Sequence, residues 1–238
     1  MTAIHSDETR YTGEPIDEVK PTWTRVAAIA GIAYVIIFAV AGGGIASSAP
    51  VFTDGADEIR TWFGDNQGPI AFFTWLANGI PLVLLFASGL RSRLTPVDPS
   101  GGILTRMSYG GAVATFSFAL VALGFWGVMS LDPVLEGASD GLLVTLSALD
   151  AVVFFVVAPW AMAVFIVPAS VIMLMTRTMP AWLGALGCLC GLLFAVSGLW
   201  ILDGDPTSTL AGLGIAGGLG SMLWILITSV FMIRSPRA

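Results

Sequence analysis

Histidine is almost missing from this chain: the single one is His5, close to the N-terminus. A bis-histidine haem and a histidine-based metal site inside one copy of the molecule are thereby excluded. Cysteine is nearly as scarce. Cys188 and Cys190 are two positions apart, which on a helix turns their side chains about 200° from one another, so they do not bridge and are expected to pack. Charge is the third shortage, 11% of residues against roughly a quarter in an ordinary soluble domain. The motifs His-Glu-x-x-His, Gly-x-Ser-x-Gly and the phosphate-binding glycine loop are absent as well. No cofactor is expected, and nothing points to nucleic acid.

Hydrophobic residues make up 56% of the chain, and the mean hydropathy is +0.87. They gather into six runs: Trp23 to Ser47, Gly68 to Leu90, Met107 to Met129, Gly141 to Met175, Trp182 to Leu202 and Leu210 to Ile233. Each matches the roughly 20 helical residues needed to cross a hydrocarbon core of about 30 Å. The strands of a membrane barrel would alternate apolar and polar residues, and Ala151-Val-Val-Phe-Phe-Val-Val-Ala158 does not. The predicted fold is therefore all-α, a polytopic bundle of about six transmembrane helices. The fourth run, about 50 Å long if wholly helical, exceeds one perpendicular crossing. Pro159 and Pro168 predict kinks in it, and its part from Gly141 to Phe154 is expected to protrude; Pro81 predicts a kink in the second run.

Sidedness follows from the basic residues. Lys20, Arg25, Arg91, Arg93, Arg106, Arg177, Arg234 and Arg237 fall at ends that share one side when the runs alternate, and only Arg60 lies opposite. That side is the cytoplasm by the positive-inside rule, so both termini are expected there. Met1 to Pro21 holds too little apolar surface to fold and is expected to be a disordered cytoplasmic tail, leaving residues 22–238 as a single bundle. In the first outer loop Asp54 can cap a short helix whose Ile59, Trp62 and Phe63 share a face. Such a helix is expected at the membrane surface, either as an interfacial anchor or as a lid over an outward opening.

Asp150 is the one acid embedded in an apolar run, which by itself suggests a proton or cation site, because burying its charge is costly. The length of the fourth run instead places it near the outer interface, hydrated. Asn78-Gly-Ile-Pro81 sets an amide beside a backbone break, which can line a cavity or serve as interhelical glue. Gly187 with Gly191, and Gly214 with Gly218, make smooth helix faces for close packing within the chain or between copies. Asp203 and Asp205 could attract a divalent cation, but lack the distant glutamate of an EF-hand loop. Thr24-Arg25, Thr105-Arg106 and Thr176-Arg177 open three spans alike, and Gly124-Phe-Trp126 matches Gly198-Leu-Trp200, a pattern that either three repeated hairpins or a shared membrane interface would produce.

Gly31-Ile-Ala-Tyr34, Ala56-Asp-Glu-Ile-Arg-Thr-Trp-Phe-Gly-Asp-Asn66, Leu84-Leu-Phe-Ala-Ser-Gly-Leu-Arg91 and Met179-Pro-Ala-Trp-Leu-Gly184 together resemble a broad group of uncharacterised six-span membrane proteins of high-GC bacteria. The resemblance implies a bacterial plasma membrane and brings no catalytic residue. Three functions follow as expectations. The first is a non-enzymatic bundle that binds a protein partner, another copy of itself or lipid. The second is a small-solute or ion transporter using Asp150 and Asn78, and the third an enzyme acting on lipid.

Overall fold

The computed structural model describes residues 21–79 and 81–234. The predicted tail therefore lies outside the described residues, apart from Pro21, which opens the first helix. The helices are α1 (Pro21–Gly44), α2 (Ala56–Asp65), α3 (Gln67–Gly79), α4 (Leu82–Leu94), α5 (Ile103–Met129), α6 (Asp132–Gly137), α7 (Asp140–Val152), α8 (Ala158–Thr176), α9 (Ala181–Ser197) and α10 (Thr209–Arg234). A π-helical segment, Val153–Val157, joins α7 to α8. Among the described residues there is no strand.

Five stretches are long and apolar enough to cross a membrane: Trp23–Val40, Ile103–Met129, Asp140–Thr176, Ala181–Leu202 and Thr209–Arg234. They mark a membrane protein. The remaining expected span, from Gly68 to Leu90, is not one kinked helix but two, α3 and α4, of 13 residues each. Pro81 is the reason. It has no N–H to continue α3, and at φ −74°, ψ 53° it becomes the N-cap of α4, its carbonyl accepting from Leu84 and Leu85.

Six helices close into a ring in which each packs on the next: α1 on α4, α4 on α5, α5 on α8, α8 on α9, α9 on α10, and α10 back on α1. Lipid-like solvent inverts the usual pattern of side chains. Trp75, Leu189 and Leu219 point outward, more than half exposed, whereas Ser108, Thr115, Ser170, Thr228 and Ser229 are buried between helices.

One end of the ring carries the arginines and is packed densely. Phe86 of α4, Phe165 of α8 and Trp224 of α10, all fully buried, meet edge to face with ring centroids 6.0 to 6.5 Å apart. Beside them α5 approaches the backbone of α8. A Cβ on Gly111 would stand 2.3 Å from the Phe165 nitrogen, so only glycine fits. Three residues earlier, on the same face, Ser108 Oγ donates to the Phe165 carbonyl at 2.7 Å. Pro168 offers no N–H to the Val164 carbonyl, so the Ser108 bond ties α5 to α8 beside that break in the ladder.

The predicted packing glycines divide. Gly187 faces Ser170 and Trp224, Gly191 faces Val167, and Gly214 faces Ser197, so all three are used inside the chain. Gly218 has open space before it. Cys190 is buried against Gly220 of α10, and both cysteines are free.

The connection from α4 to α5 is more ordered than its turn-rich composition suggests. Asp98 Oδ1 accepts from the Ser100 N–H and hydroxyl, and its Oδ2 accepts from the N–H and hydroxyl of Thr105. The Ser100 hydroxyl in turn accepts from Leu104, so two of the free donors at the start of α5 are satisfied. Burial by itself would raise the Asp98 pKa, but the hydrogen bonds from Ser100 and Thr105 outweigh it and hold the group below the usual carboxylate range. Arg91 lies over the Tyr109 ring at 5.2 Å, a further tie between α4 and α5.

Candidate functional site

The opposite end of the ring is loose, and the cause is the broken helix. In the arginine half α4 fills the slot between α1 and α5. Beyond the break α3 continues against α5, and among the described residues it makes no comparable packing with α1. The slot is left open as a chamber of about 320 Å³, within the range of small-molecule sites. Its walls come from α1, α3, the start of α4, α5, α7 and the π-segment, and from the loop that follows α1.

The chamber is apolar and rich in aromatic rings, with few polar groups: Asp150, Ser147, Thr115, Tyr34 and the indole of Trp126. Asp150 sits in the last turn of α7, three residues before the π-segment begins at Val153. Its Oδ2 accepts from Trp126 Nε1 at 3.0 Å. No cationic side chain is among the lining residues. Asp150 is half-buried and lines this mostly apolar space.

The π-segment shapes the wall beside it. Pro159 has no N–H to offer the Phe155 carbonyl four residues back, and the wider turn at Val153–Val157 absorbs the mismatch. Phe154 and Phe155, edge to face at 5.2 Å, line the chamber as a result. Phe155 also stacks on Trp200 at 5.1 Å, while Trp200 Nε1 donates to the Asp205 carbonyl at 2.8 Å. The kink expected at Pro159 is therefore a π-bulge placed one turn earlier, at the chamber wall.

The short helix of the first loop, expected around Ile59, Trp62 and Phe63, is α2. Its apolar face is turned onto protein: Ile59 is fully buried and Phe63 is 2% exposed. Trp62 and Phe63 each pack edge to face on Trp126, at 5.5 and 5.8 Å, and Phe63 lines the chamber. A surface anchor would leave these side chains for lipid; here α6, α7 and Trp126 take them up. The helix roofs the site, and Trp126 links roof to carboxylate.

Arg60, the one basic residue opposite the others, holds that roof. Its guanidinium donates to the Leu135 carbonyl, to the Ala138 carbonyl at 3.1 Å, and to Asp140 Oδ1 at 3.0 Å. The first two are carbonyls at the end of α6 that the helix cannot satisfy itself. Gln67 adds a bond to Asp132 Oδ1 at 2.6 Å, and Trp62 Nε1 donates to Ser48 Oγ at 3.3 Å. Sequence reasoning identified α2 but not this clamp, although a lone arginine among acids was the signal for it.

Asn78 lies in the last turn of α3, and its side chain is outside the described residues. Pro81 is exposed at the break, while Leu76, Leu82 and Val83 on either side of it line the chamber. Besides Asp132 and Asp140, two acids in the loops of this end are held by nearby donors. Asp54 accepts from the Val51 N–H, and Asp205 Oδ1 accepts from the Thr207 N–H and hydroxyl, which lower its pKa. Among the described residues no three of the metal-ligating side chains come together. Chemically, the site offers one carboxyl, an indole donor and an aromatic wall. Comparison with family models, with curated proteins and with solved structures yields no match.

Proposed function

We propose that this chain is a six-crossing membrane protein that binds a small amphipathic molecule, or the chain of a lipid, in the chamber beside Asp150. The observation that carries the reading is the solitary carboxyl of Asp150, hydrogen-bonded to Trp126, in an otherwise apolar space of about 320 Å³. Apolar walls supply affinity, and one well-placed polar group fixes orientation. In this reading α3 and α4 together make the sixth crossing, the arginine end and both termini are cytoplasmic, and the gap between α1 and α3 is the entrance from the outer leaflet. The resemblance to six-span proteins of high-GC bacteria supports a bacterial plasma membrane as its location. Binding through a second copy is the weaker form of the hypothesis, because Gly187, Gly191 and Gly214 are already occupied within the chain.

Transport is the second reading, and one feature favours it. Two interrupted helices, at Pro81 and at Val153–Val157, border the same chamber, as irregular backbone does around transported substrates.

Native mass spectrometry of the chain extracted in mild detergent tests the binding reading. A bound amphiphile is expected on the wild type and its loss in Ala119→Phe, which fills the chamber from α5. Equal occupancy of the two proteins, or none on either, would overturn it.

A further inference from the structure

Resting on the chamber as a binding site, we infer that its ligand is a lipophilic organic cation, an apolar body carrying an amine or quaternary ammonium group. Three features of the chamber converge on this class. Its only carboxyl is Asp150, and no lysine, arginine or histidine lines the space to neutralise it. A carboxyl withdrawn from water either keeps a proton or gains from a counter-charge, and since no side chain lining the chamber supplies that charge, a cationic ligand can. The single hydrogen bond described for this group reaches Oδ2, from Trp126, and none among the described residues reaches Oδ1.

The wall is the second feature. Phe63, Phe116, Trp126, Phe154 and Phe155 all line the same space as the carboxyl. The faces of such rings attract cations, indole most strongly, and bind organic ammonium ions that keep little hydration. A metal ion fits poorly: it requires several oxygen ligands, and the chamber presents one carboxyl and scattered hydroxyls. An anion or a carboxylic acid would meet the like charge of Asp150. A neutral lipid chain would gain the apolar wall but leave the carboxylate unpaired.

The third feature is the route. A lipophilic cation concentrates at the membrane surface, and on the reading above, with its entrance between α1 and α3, the residues lining the chamber include no charged side chain other than Asp150. Trp126 contacts both the carboxyl and Phe63 of the roof helix, so a cation drawn to Asp150 meets the aromatic wall at the same point.

Equilibrium dialysis on the full chain in neutral detergent, with a radiolabelled naphthylmethyl-trimethylammonium ion and its uncharged neopentyl isostere, tests the inference. Ala119→Phe provides the background for partition into detergent. The wild type is expected to hold the cation at least about tenfold tighter than the isostere. Asp150→Asn, which keeps shape and helix, is expected to bring the cation down to the level of the isostere while leaving the isostere's own binding unchanged. Retention of the cation's advantage in Asp150→Asn, or equal binding of both probes to the wild type, would overturn the inference. If the isostere still binds the wild type and not Ala119→Phe, the chamber reading survives that failure. If neither probe distinguishes the wild type from Ala119→Phe, both readings fall.

Discussion

The two ends of the ring are built from the same six-helix arrangement by opposite means. At the arginine end α4 completes the ring, three rings lock together at Phe86, Phe165 and Trp224, and glycine lets α5 touch the backbone of α8. At the Asp150 end α4 gives way to α3, which among the described residues makes no comparable packing with α1, and the fourth long stretch passes through a π-bulge. Density at one end holds the bundle together, and this lets the other end keep a space. Irregular backbone borders that space because a regular helix would have filled it.

The contrast can be broken most forcefully at the dense end. Trp224→Ala removes the ring that touches both Phe86 and Phe165, and should cost about 3–5 kcal/mol, read as a large fall in the thermal midpoint in detergent. Ala119→Phe, at the loose end, should move that midpoint little, since it fills existing space. Equal losses would mean that the two ends are not mechanically distinct.

A smaller effect is expected from the cap at Asp98. Its folded-state pKa lies below the usual range, so its contribution is complete above that range and is lost as pH falls through the lower folded value. Asp98→Asn should cost about 1 kcal/mol at neutral pH and flatten the acid limb of the stability profile. An unchanged acid limb would remove Asp98 from the account.

Arg60→Met should have the least effect on the whole molecule, about 1 kcal/mol or less, because its ion pair with Asp140 is partly exposed. Its local effect should be larger. Hydrogen exchange in α2 is expected to rise while α5 and α8 stay protected, sharpening the distinction between roof and bundle. Uniform exchange changes throughout would show that α2 is an integral part of the core.

Much of this architecture was legible in the chain. The long helices follow from run length alone, and the excess length of the stretch from Gly141 to Met175, with Pro159 in it, announced an irregularity. The short helix with Ile59, Trp62 and Phe63 was legible from their spacing. Its destination was not, because spacing shows that three apolar residues share a face but not whether lipid or Trp126 will meet it. Likewise Gly124-Phe-Trp126 reads as an interfacial belt, and nothing local announces that Trp126 donates to a carboxyl 24 residues later. Gly111 escaped notice for a similar reason: its value lies in Val164 and Phe165, a different helix.

By itself the sequence determined the solvent, the helical class, the lengths of five long helices and the clustering of arginine at one set of helix ends, since these depend on composition and on periodicity along the chain. Only the tertiary structure decided that the second run breaks completely at Pro81, that α2 turns inward, and that Asp150 faces a chamber with an indole beside it. Those outcomes depend on which helix stands next to which, and in an apolar solvent that choice rests on close packing and interhelical hydrogen bonds between residues far apart in the chain.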